Sequence, residues 1–503
     1  MSMNYRLLFS TIRHLKIKQL LYQVWNRLSK TKYEHLISYA TVCPAFTCKP
    51  VNKARVSTGH EFFFLNVSSY FTSWSDRSHG NLWAYNLNYM DWLCQEGISF
   101  EEGSGWIDMF IKDLPTNPVG LDPYPIALRG INWIKFIVAN CDKIDQDRKK
   151  RWDETLYSQY KLLEKKLEWH LLGNHLLEDL YSLYLASIYF NDTKMFLRYS
   201  RLLKRELDEQ ILPDGAHFEQ SPMYHCILLD RLLDCCNISF ANIVFEGQEA
   251  LNSFLKDKAS LMLGHLESIV YENGDIPMLN DSAEGIAPAA HELFDYARRM
   301  GIGWTKQYPR ECGYRKWTKA GYEVVLDVGN ITATYQPGHS HADTFNYELR
   351  INGRPFIVDT GISTYEKNSR RQFERSTVAH NCVSPDGADT YEVWGGFRVG
   401  RRCDSRIIDE SENGVIACHD GFGKPCKRKF ELSEDGFVVE DWYEGDAVSY
   451  IHIAENAEER RIHIDGASEV LVKEHMYSTE YNRFHRGRVL EVHFSGYLKY
   501  TIR

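Results

Sequence analysis

No stretch of this 503-residue chain approaches the roughly 20 consecutive apolar residues that a membrane-spanning helix needs. The N-terminal segment also lacks the marks of a signal peptide, because its longest uncharged run near the start, Leu7 to Ile12, is short and no small-residue cleavage site follows. We therefore expect no transmembrane segment and a bacterial protein that is cytoplasmic rather than periplasmic. Residues 6–28 are basic and amphipathic, which suits contact with an anionic membrane, but we favour an ordinary first helix of the fold.

The chain has no excess of positive charge, since 59 Lys and Arg oppose 68 Asp and Glu for a net charge of −9. A general nucleic-acid binder normally carries a basic domain, so we expect no nucleic-acid partner. A polyanionic substrate is still compatible, because a local basic cleft can lie on an acidic protein. No CxxC motif occurs among the 12 cysteines, and their scatter fits buried thiols in a reducing compartment.

The spacing of apolar residues changes near residue 310. Before it they recur at helical spacing, as in Leu176 and Leu180, and after residue 320 the period becomes two. Asn352-Gly353 is a strong hairpin signal between two such strand-like runs. These patterns predict an all-α domain over residues 1–310, followed by an antiparallel β-sandwich domain over residues 311–503. Later strands are predicted, among others, at 331–336, 436–442, 448–454, 488–494 and 498–502.

Two histidines separated by one residue, His339 and His341, stand out in the β-rich half. On a strand, residues two apart point to the same face. Together with Asp359 and His380 they offer two imidazoles and one carboxylate, a set suited to Zn²⁺, and one further histidine that can serve as an acid or base. The spacing alone leaves open a plainer interpretation, a pair of solvated or hydrogen-bonded histidines.

Arginines cluster downstream of this motif, and their forked hydrogen bonds suit the carboxylates or sulfates of a polyanion. We assign substrate binding to Arg371 and Arg375, although a charged sandwich surface explains any single arginine equally well. In the helical half, Arg129 and Trp133 share one helix face at i and i+4, which suits a sugar acid and also suits ordinary packing. The downstream cluster comprises Arg370, Arg371, Arg375, Arg398, Arg401 and Arg402.

Two further segments of the helical half open helices. Gly173-Asn174-His175 begins a strongly periodic helix, where asparagine is also a favoured N-cap. The stretch from Glu219 to His225 is a turn that leads into another helix, with Pro222 near its first turn and Tyr224 suited to line a cleft. Taken singly, both segments have ordinary structural interpretations.

Taken in order, these segments resemble the heparinase II/III-like family of polysaccharide lyases, from about residue 80 to 400. The family fold is an incomplete (α/α) toroid followed by an antiparallel β-sandwich, which agrees with the change near residue 310. The matching segments are Pro123-Tyr124-Pro125 with Arg129 and Asn132-Trp133, Gly173-Asn174-His175, Glu219 to His225, His339 to Asp343, Val358 to Gly361 and Ala379-His380-Asn381.

The resemblance implies an enzyme that cleaves a uronic-acid-containing acidic polysaccharide by β-elimination. Asn174, with His175 beside it, would neutralise the uronate carboxylate, and Tyr224 would transfer a proton with His339 as its partner. Either Tyr224 or His339 suits the role of base, depending on the sugar epimer. The resemblance also implies a zinc site, which we take as structural because elimination requires no nucleophilic water. Its ligands would be His341, Asp359 and His380.

Two other functions stay open at this point. A glycoside hydrolase on a toroid scaffold would need two opposed carboxylates, and nothing in the sequence pairs Glu178, Asp179 or Glu219. A non-catalytic polysaccharide-binding protein of a capsule or exopolysaccharide pathway would need no proton-transfer residues. A lyase releases an unsaturated product that absorbs ultraviolet light, whereas a hydrolase produces only new reducing ends.

Overall fold

A computed structural model describes residues 5–29, 31–37 and 43–503. Within these residues helices dominate as far as Arg299 and an antiparallel sheet begins at Tyr314, so the predicted change from helical to β structure is confirmed. The helices are α1 Tyr5–Ile12, α2 Ile17–Leu28, α3 Asn81–Tyr89, α4 Phe100–Asp113, α5 Pro123–Ala139, α6 Gln146–Lys166, α7 Gly173–Tyr189, α8 Thr193–Gln210, α9 Pro222–Ala241, α10 Gln248–Ile269, α11 Ala290–Arg299 and α12 Ser369–Glu374.

Helix α7 lies at the centre of the helical half. Apart from His175, every residue of α7 is buried, and the helix packs against α5, α8 and α9. A helix that is buried on all sides needs apolar residues around its whole circumference, which the sequence of α7 largely provides. Because its core position is fixed by this packing, the first residues of α7 are held rigidly where they emerge from the core.

The strands form one large sheet and two small ones. In the large sheet the order is β11-β12-β13-β14-β7-β6-β5-β4, with β16 paired to both β14 and β15, and β8 paired to β14. The strands are β1 Ser57–Thr58, β2 Glu61–Phe64, β3 Val67–Tyr70, β4 Tyr314–Lys319, β5 Tyr322–Asp327, β6 Tyr347–Ile351, β7 Arg354–Ile357, β8 Val383–Ser384, β9 Val393–Trp394, β10 Arg398–Val399, β11 Ser405–Ser411, β12 Gly414–His419, β13 Cys426–Ser433, β14 Gly436–Ala454, β15 Ile462–Glu480 and β16 Arg483–Ile502.

Two predicted breaks in the sheet are bulges instead of turns. The separate strands expected at 436–442 and 448–454 form the single strand β14, and those expected at 488–494 and 498–502 both belong to β16. The register between the two strands shifts between Tyr443 and Asp446, opposite Gly496 and Ser495. Gly445 and Gly496 have positive φ angles of 125° and 81° and so allow the shift without ending either strand.

The strand predicted at 331–336 is wrong. Thr332 donates its backbone N–H to the side chain of Gln220 at 3.0 Å, and its hydroxyl donates to the carbonyl of Phe218. Ala333 and Tyr335 pack into the large core of the helical half. The segment is therefore a connection between the halves, in which Ala333 and Tyr335 face the helical half while Ile331 packs against a small cluster of the β-rich half.

A mixed seam joins the helical half to the sheet. Its apolar part is a cluster that combines residues around α10 with the start of the sheet. Its polar part includes Gln220, whose amide donates to the carbonyls of Cys312 at 2.7 Å and Asn330 at 3.0 Å. Tyr271 donates to Glu348 at 2.8 Å. The members of the apolar cluster are Ala216, Ile269, Tyr271, Leu279, Cys312, Tyr314 and Val325.

Candidate active site

A cleft of about 1020 Å³ lies between the helical half and the β-rich half. Asn174, His175 and Tyr224 line it from the helical side, and His339 lines it from the β side. The four predicted catalytic residues are therefore brought together, although 165 residues separate Asn174 from His339 along the chain. The site requires both halves of the molecule.

Asn174 is the second residue of α7 and is tied to a buried carboxylate. Its backbone N–H and its side-chain Nδ2 each donate to Glu219 at 2.8 Å, and Nδ2 also lies 3.3 Å from Nε2 of His339. Its Oδ1 is buried and accepts no hydrogen bond from the residues that the structure describes. Leu172 and Gly173 precede it with positive φ angles of 62° and 55°.

Gly173 is required by this close approach. A Cβ atom at residue 173 would lie 2.2 Å from Oε1 of Glu219, which itself accepts the backbone N–H of Asn174. Any larger residue would push the carboxylate away, in addition to the strain of a left-handed backbone. The glycine therefore allows Glu219 to fix the orientation of the asparagine.

His175 is the one residue of α7 that is partly exposed. Its Nδ1 donates to Glu168 at 3.1 Å, and its ring lies 4.8 Å from the ring of Tyr124, centroid to centroid. Burial by itself would lower the pKa of His175, but the Glu168 carboxylate outweighs it and raises that pKa above the usual value. This raises the share of positively charged imidazole at the cleft.

Tyr224 and His339 face each other across the two halves. Their ring centroids are 3.9 Å apart with an angle of 30° between the planes, and Tyr365 donates a hydrogen bond to the Tyr224 hydroxyl at 3.4 Å. Ser221 caps the N-terminus of α9 by accepting the backbone N–H of Tyr224 at 3.2 Å, which fixes the start of this helix. Burial raises the pKa of Tyr224 above its usual value, so the phenol holds its proton at neutral pH.

Asp281 is the residue that the sequence did not reveal. This fully buried carboxylate accepts Nδ1–H of His339 at 2.9 Å and Nε2–H of His341 at 2.8 Å, and it receives both terminal nitrogens of Arg371. Burial would raise the pKa of Asp281, but Arg371 and the two imidazoles hold it well below the usual range. The only available signal was an acidic residue in the turn Asn280-Asp281-Ser282.

Two of the predicted substrate contacts, Arg129 and Trp133, are wrong. Both side chains are fully buried in the helical core, and neither lines the cleft. Arg129 donates to Gln159 at 2.6 and 2.8 Å and to two backbone carbonyls, while Trp133 donates to the sulfur of Met90 at 3.2 Å. The shared helix face was predicted correctly, but it faces inward because the arginine satisfies buried carbonyls.

The predicted substrate contacts of Arg371 and Arg375 are also wrong. Arg371 is fully buried in its ion pair with Asp281, and Arg375 is fully buried with Nη2 donating to the carbonyl of Ser340 at 2.8 Å. Both arginines support the loop that carries His339 instead of contacting the cleft. The cationic side chains that do line the cleft are Lys53, Arg77, Arg231, Lys367, Arg398 and Arg402, against the acidic Asp91, Asp122 and Glu366.

The predicted metal ligands lie behind the cleft. His380 donates from Nδ1 to Asp359 at 2.8 Å, and the rings of His341 and His380 are 5.3 Å apart. Nδ1 of His341 and Nε2 of His380 are buried and make no hydrogen bond to the described residues. Two unpaired imidazole nitrogens beside a carboxylate are compatible with a divalent metal ion such as zinc.

Among the described residues, the group whose possible ligand atoms lie close enough together to hold a metal ion is at the seam and does not include the three predicted ligands. Atoms of Asp214, His265 and Cys312, all buried, lie within 4.8 Å of one another. The oxygens of Asp214 already accept the backbone N–H groups of Ala216 at 3.2 Å and Cys312 at 2.9 Å. This group therefore has a structural explanation as a polar contact between the halves.

Two family descriptions match adjoining parts of the chain. Residues 139–300 match the Heparinase II/III N-terminus, and residues 307–468 match the heparinase II/III-like C-terminal domain. The two ranges together cover well over half of the chain. The chain belongs to the heparinase II/III family. This membership confirms the predicted family.

Similar proteins of the heparinase II/III family include heparin-sulfate lyases. The chain is 22% identical over 245 residues to the heparin-sulfate lyase of Bacteroides stercoris, and the aligned region covers 42% of this chain and 35% of the relative. It is 24% identical over 247 residues to the heparin-sulfate lyase of Pedobacter heparinus, and the aligned region covers 42% of this chain and 36% of the relative. The chain thus matches about a third of the length of these curated relatives.

Solved structures confirm the heparinase II/III fold. A crystal structure of heparinase III has a TM-score of 0.61 at 15% identity, covering 84% of this chain and 76% of that one. A mutant heparan sulfate lyase from Pedobacter heparinus has a TM-score of 0.56 at 16% identity, covering 96% and 87%. The predicted class, a helical toroid followed by an antiparallel β domain, is therefore correct.

Proposed function

We propose that this protein is a polysaccharide lyase that cleaves a uronic-acid-containing polymer by β-elimination. One observation carries the proposal: Asn174, Tyr224 and His339, which come from distant parts of the chain, meet at a single point of the cleft. The names of the similar lyases support the same class of reaction. Because those names refer to heparin sulfate, heparan-type polymers are the first substrates to test, followed by alginate-type and capsule-type uronans.

His339 is suited to remove the proton at C5 of the uronate. Its Nδ1–H is engaged by Asp281, so the neutral ring carries its lone pair on Nε2. That nitrogen lies beside Asn174 at the cleft. In this scheme the C5–H bond breaks, its proton goes to Nε2, and its electron pair forms the C4–C5 double bond as the bond from C4 to O4 breaks.

Tyr224 is suited to protonate the departing O4. Its raised pKa keeps the phenol protonated, which a general acid requires. Transfer of the proton from His339 back to Tyr224, directly between the adjacent rings or through water, would restore the starting state. The reaction then consumes no cofactor, and its only products are the two polysaccharide fragments.

The uronate carboxylate must be neutralised before the C5 proton becomes acidic enough to leave. His175 with its raised pKa supplies a positive charge suited to bind that carboxylate, and Asn174 supplies the Nδ2 hydrogen that is not donated to Glu219. Of the six cationic side chains that line the cleft, Lys53 pairs with Asp91 and Arg231 pairs with Asp230. The other four, Arg77, Lys367, Arg398 and Arg402, outnumber the other two acidic ones, Asp122 and Glu366, on a protein that is acidic as a whole. Such a cleft attracts a polyanion.

The test is a panel of uronic-acid polymers incubated with the purified protein and followed by ultraviolet absorbance and by reducing-end assay. A lyase gives both signals in equal amounts on at least one polymer. Reducing ends without ultraviolet absorbance would establish a hydrolase instead, and neither signal on any polymer would favour a binding protein. The hydrolase candidates Glu178, Asp179 and Glu219 do not line the cleft, which disfavours that alternative.

We also propose a structural zinc ion held by His341, Asp359 and His380. The two buried imidazole nitrogens, which make no hydrogen bond within the described part of the chain, support this assignment. When bound, the ion would supply a cross-link among three segments of the β-rich half. One of these segments carries His339 two residues before His341.

We expect metal analysis of the purified protein to give one zinc per chain, and His380→Ala to lose it. His265→Ala is the matched control, because His265 is also buried with an unpaired nitrogen but belongs to the seam. It should keep its zinc. Retention of zinc in His380→Ala together with loss in His265→Ala would move the site to the seam.

A further inference from the structure

Helices α1 and α2 carry their apolar residues on the outside of the molecule. In α2 the residues Ile17, Leu21, Val24, Trp25 and Leu28, here called the apolar stripe, recur at helical spacing on one face. Their side chains are 76%, 64%, 57%, 59% and 74% exposed. In α1, Tyr5, Phe9 and Ile12 repeat the pattern and are exposed as well. A surface helix of a folded domain normally buries such a face.

The side of α2 that packs against the protein carries polar residues together with Tyr22, which lies against the helical core. Gln19, the one buried residue of the helix, donates to the carbonyls of Leu171 at 3.1 Å and Tyr335 at 3.2 Å. Lys18 lies over the ring of Trp169 at 3.0 Å. The orientation of α2 is therefore fixed by specific contacts, and the outward position of the apolar stripe follows from them.

The charge of this segment is opposite to that of the whole chain. Residues 5–28 contain five Lys or Arg and no Asp or Glu, whereas the chain has a net charge of −9. Lys16 pairs with Glu209, but Arg6, Arg13 and Arg27 are exposed. A second copy of the segment would bring like charges together, which disfavours self-association through this face.

We infer that α1 and α2 bind the surface of an anionic lipid bilayer, with the apolar stripe inserted among the acyl chains. An amphipathic helix with aromatic and aliphatic residues on one side and basic residues on the other lies in the plane of the membrane interface. Trp25 suits the boundary between headgroups and hydrocarbon. Within the described residues no helix has the length and apolar character to cross a bilayer.

Membrane contact would place the catalytic cleft beside the bilayer. Gln19 and Gln23 of α2 line the cleft on the side opposite the apolar stripe. The cleft would then lie about one helix diameter, roughly 10–12 Å, from the lipid surface. A polysaccharide held near the lipid surface would reach the cleft without leaving that surface.

The test is sedimentation of the full chain with vesicles of phosphatidylglycerol and phosphatidylcholine, or of phosphatidylcholine alone. We expect binding to the anionic vesicles that weakens as salt is raised. The double variant Leu21→Glu/Trp25→Glu should weaken binding on the order of 100-fold. The triple variant Arg6→Gln/Arg13→Gln/Arg27→Gln should weaken binding roughly 100-fold at low salt. The matched control is Leu197→Glu, because Leu197 of α8 is 62% exposed outside this segment.

Thermal unfolding shows whether each variant is folded, and all substituted side chains are exposed, so the midpoints should be unchanged. Binding that is equal on both vesicle types, or equal in the double variant and the wild type, would overturn the inference. A dimer that forms without vesicles and is lost in Leu21→Glu/Trp25→Glu would assign the stripe to self-association instead.

Discussion

Replacement of Tyr224 by phenylalanine is expected to lower kcat on the cleaved uronan by about 10²- to 10⁴-fold, the range that one general acid contributes. The substitution removes only the hydroxyl, and the ring that packs at 3.9 Å against His339 is retained. The loss should therefore appear in kcat, with little change in KM or in the thermal unfolding midpoint. Initial rates of ultraviolet-absorbing product measure it.

Tyr365→Phe is the matched control for this variant. It removes a hydroxyl from the same cleft, 3.4 Å from that of Tyr224, but from a residue to which we assign no proton transfer. Its kcat should stay within about tenfold of the wild type, the cost of one neutral hydrogen bond. If Tyr224→Phe had the same kcat as Tyr365→Phe, Tyr224 would not be the general acid and the proposed mechanism would fail.

Replacement of Asp281 by asparagine is expected to damage both stability and catalysis. The Arg371 guanidinium would stay fully buried without a countercharge, which costs about 3–5 kcal/mol of unfolding free energy. The asparagine amide can also donate to Nδ1 of His339 and so shift its proton to Nε2, the position of the base. By analogy with other Asp-oriented histidines, kcat should fall on the order of 10²- to 10⁴-fold.

Two comparisons separate these effects. Adding Arg371→Met to Asp281→Asn removes the unpaired charge and should restore part of the unfolding free energy but not kcat. Asp441→Asn breaks the similarly buried Arg428–Asp441 pair, with contacts of 2.6 and 2.9 Å, remote from the cleft. It should lower stability while leaving kcat per folded molecule unchanged. Denaturant unfolding measures the unfolding free energy, and rates at saturating substrate, divided by the folded fraction, measure kcat. An Asp281→Asn variant with the kcat of the wild type would contradict the positioning role of Asp281.

The sequence predicted the candidate catalytic residues better than their surroundings. Asn174, Tyr224 and His339 were identified by the order of separated motifs, and the cleft brings them together. The assumed strand geometry of His339 and His341 was not needed, because both imidazoles reach different oxygens of Asp281 from an irregular loop. Asp281 and Arg371 lie 90 residues apart, so no local pattern could pair them.

Burial was the property that local patterns predicted least well. The spacing of Arg129 and Trp133 gives a helix face but not the side of the molecule to which it points, and here it points into the core. In α2 the reverse holds, because its apolar residues remain outside. In both cases specific polar contacts, to Gln159 for Arg129 and to backbone carbonyls for Gln19, decide the orientation.

The seam between the two halves limits how genes for this fold can be divided or recombined in evolution. A gene encoding only the helical half would leave Tyr271 and Leu279 of the seam cluster uncovered and the amide of Gln220 without its two carbonyl partners. Exposed apolar surface of this kind promotes aggregation, and selection against such fragments would be strong. Recombination should therefore exchange the two halves as a single unit, and their sequences should evolve in step along the seam.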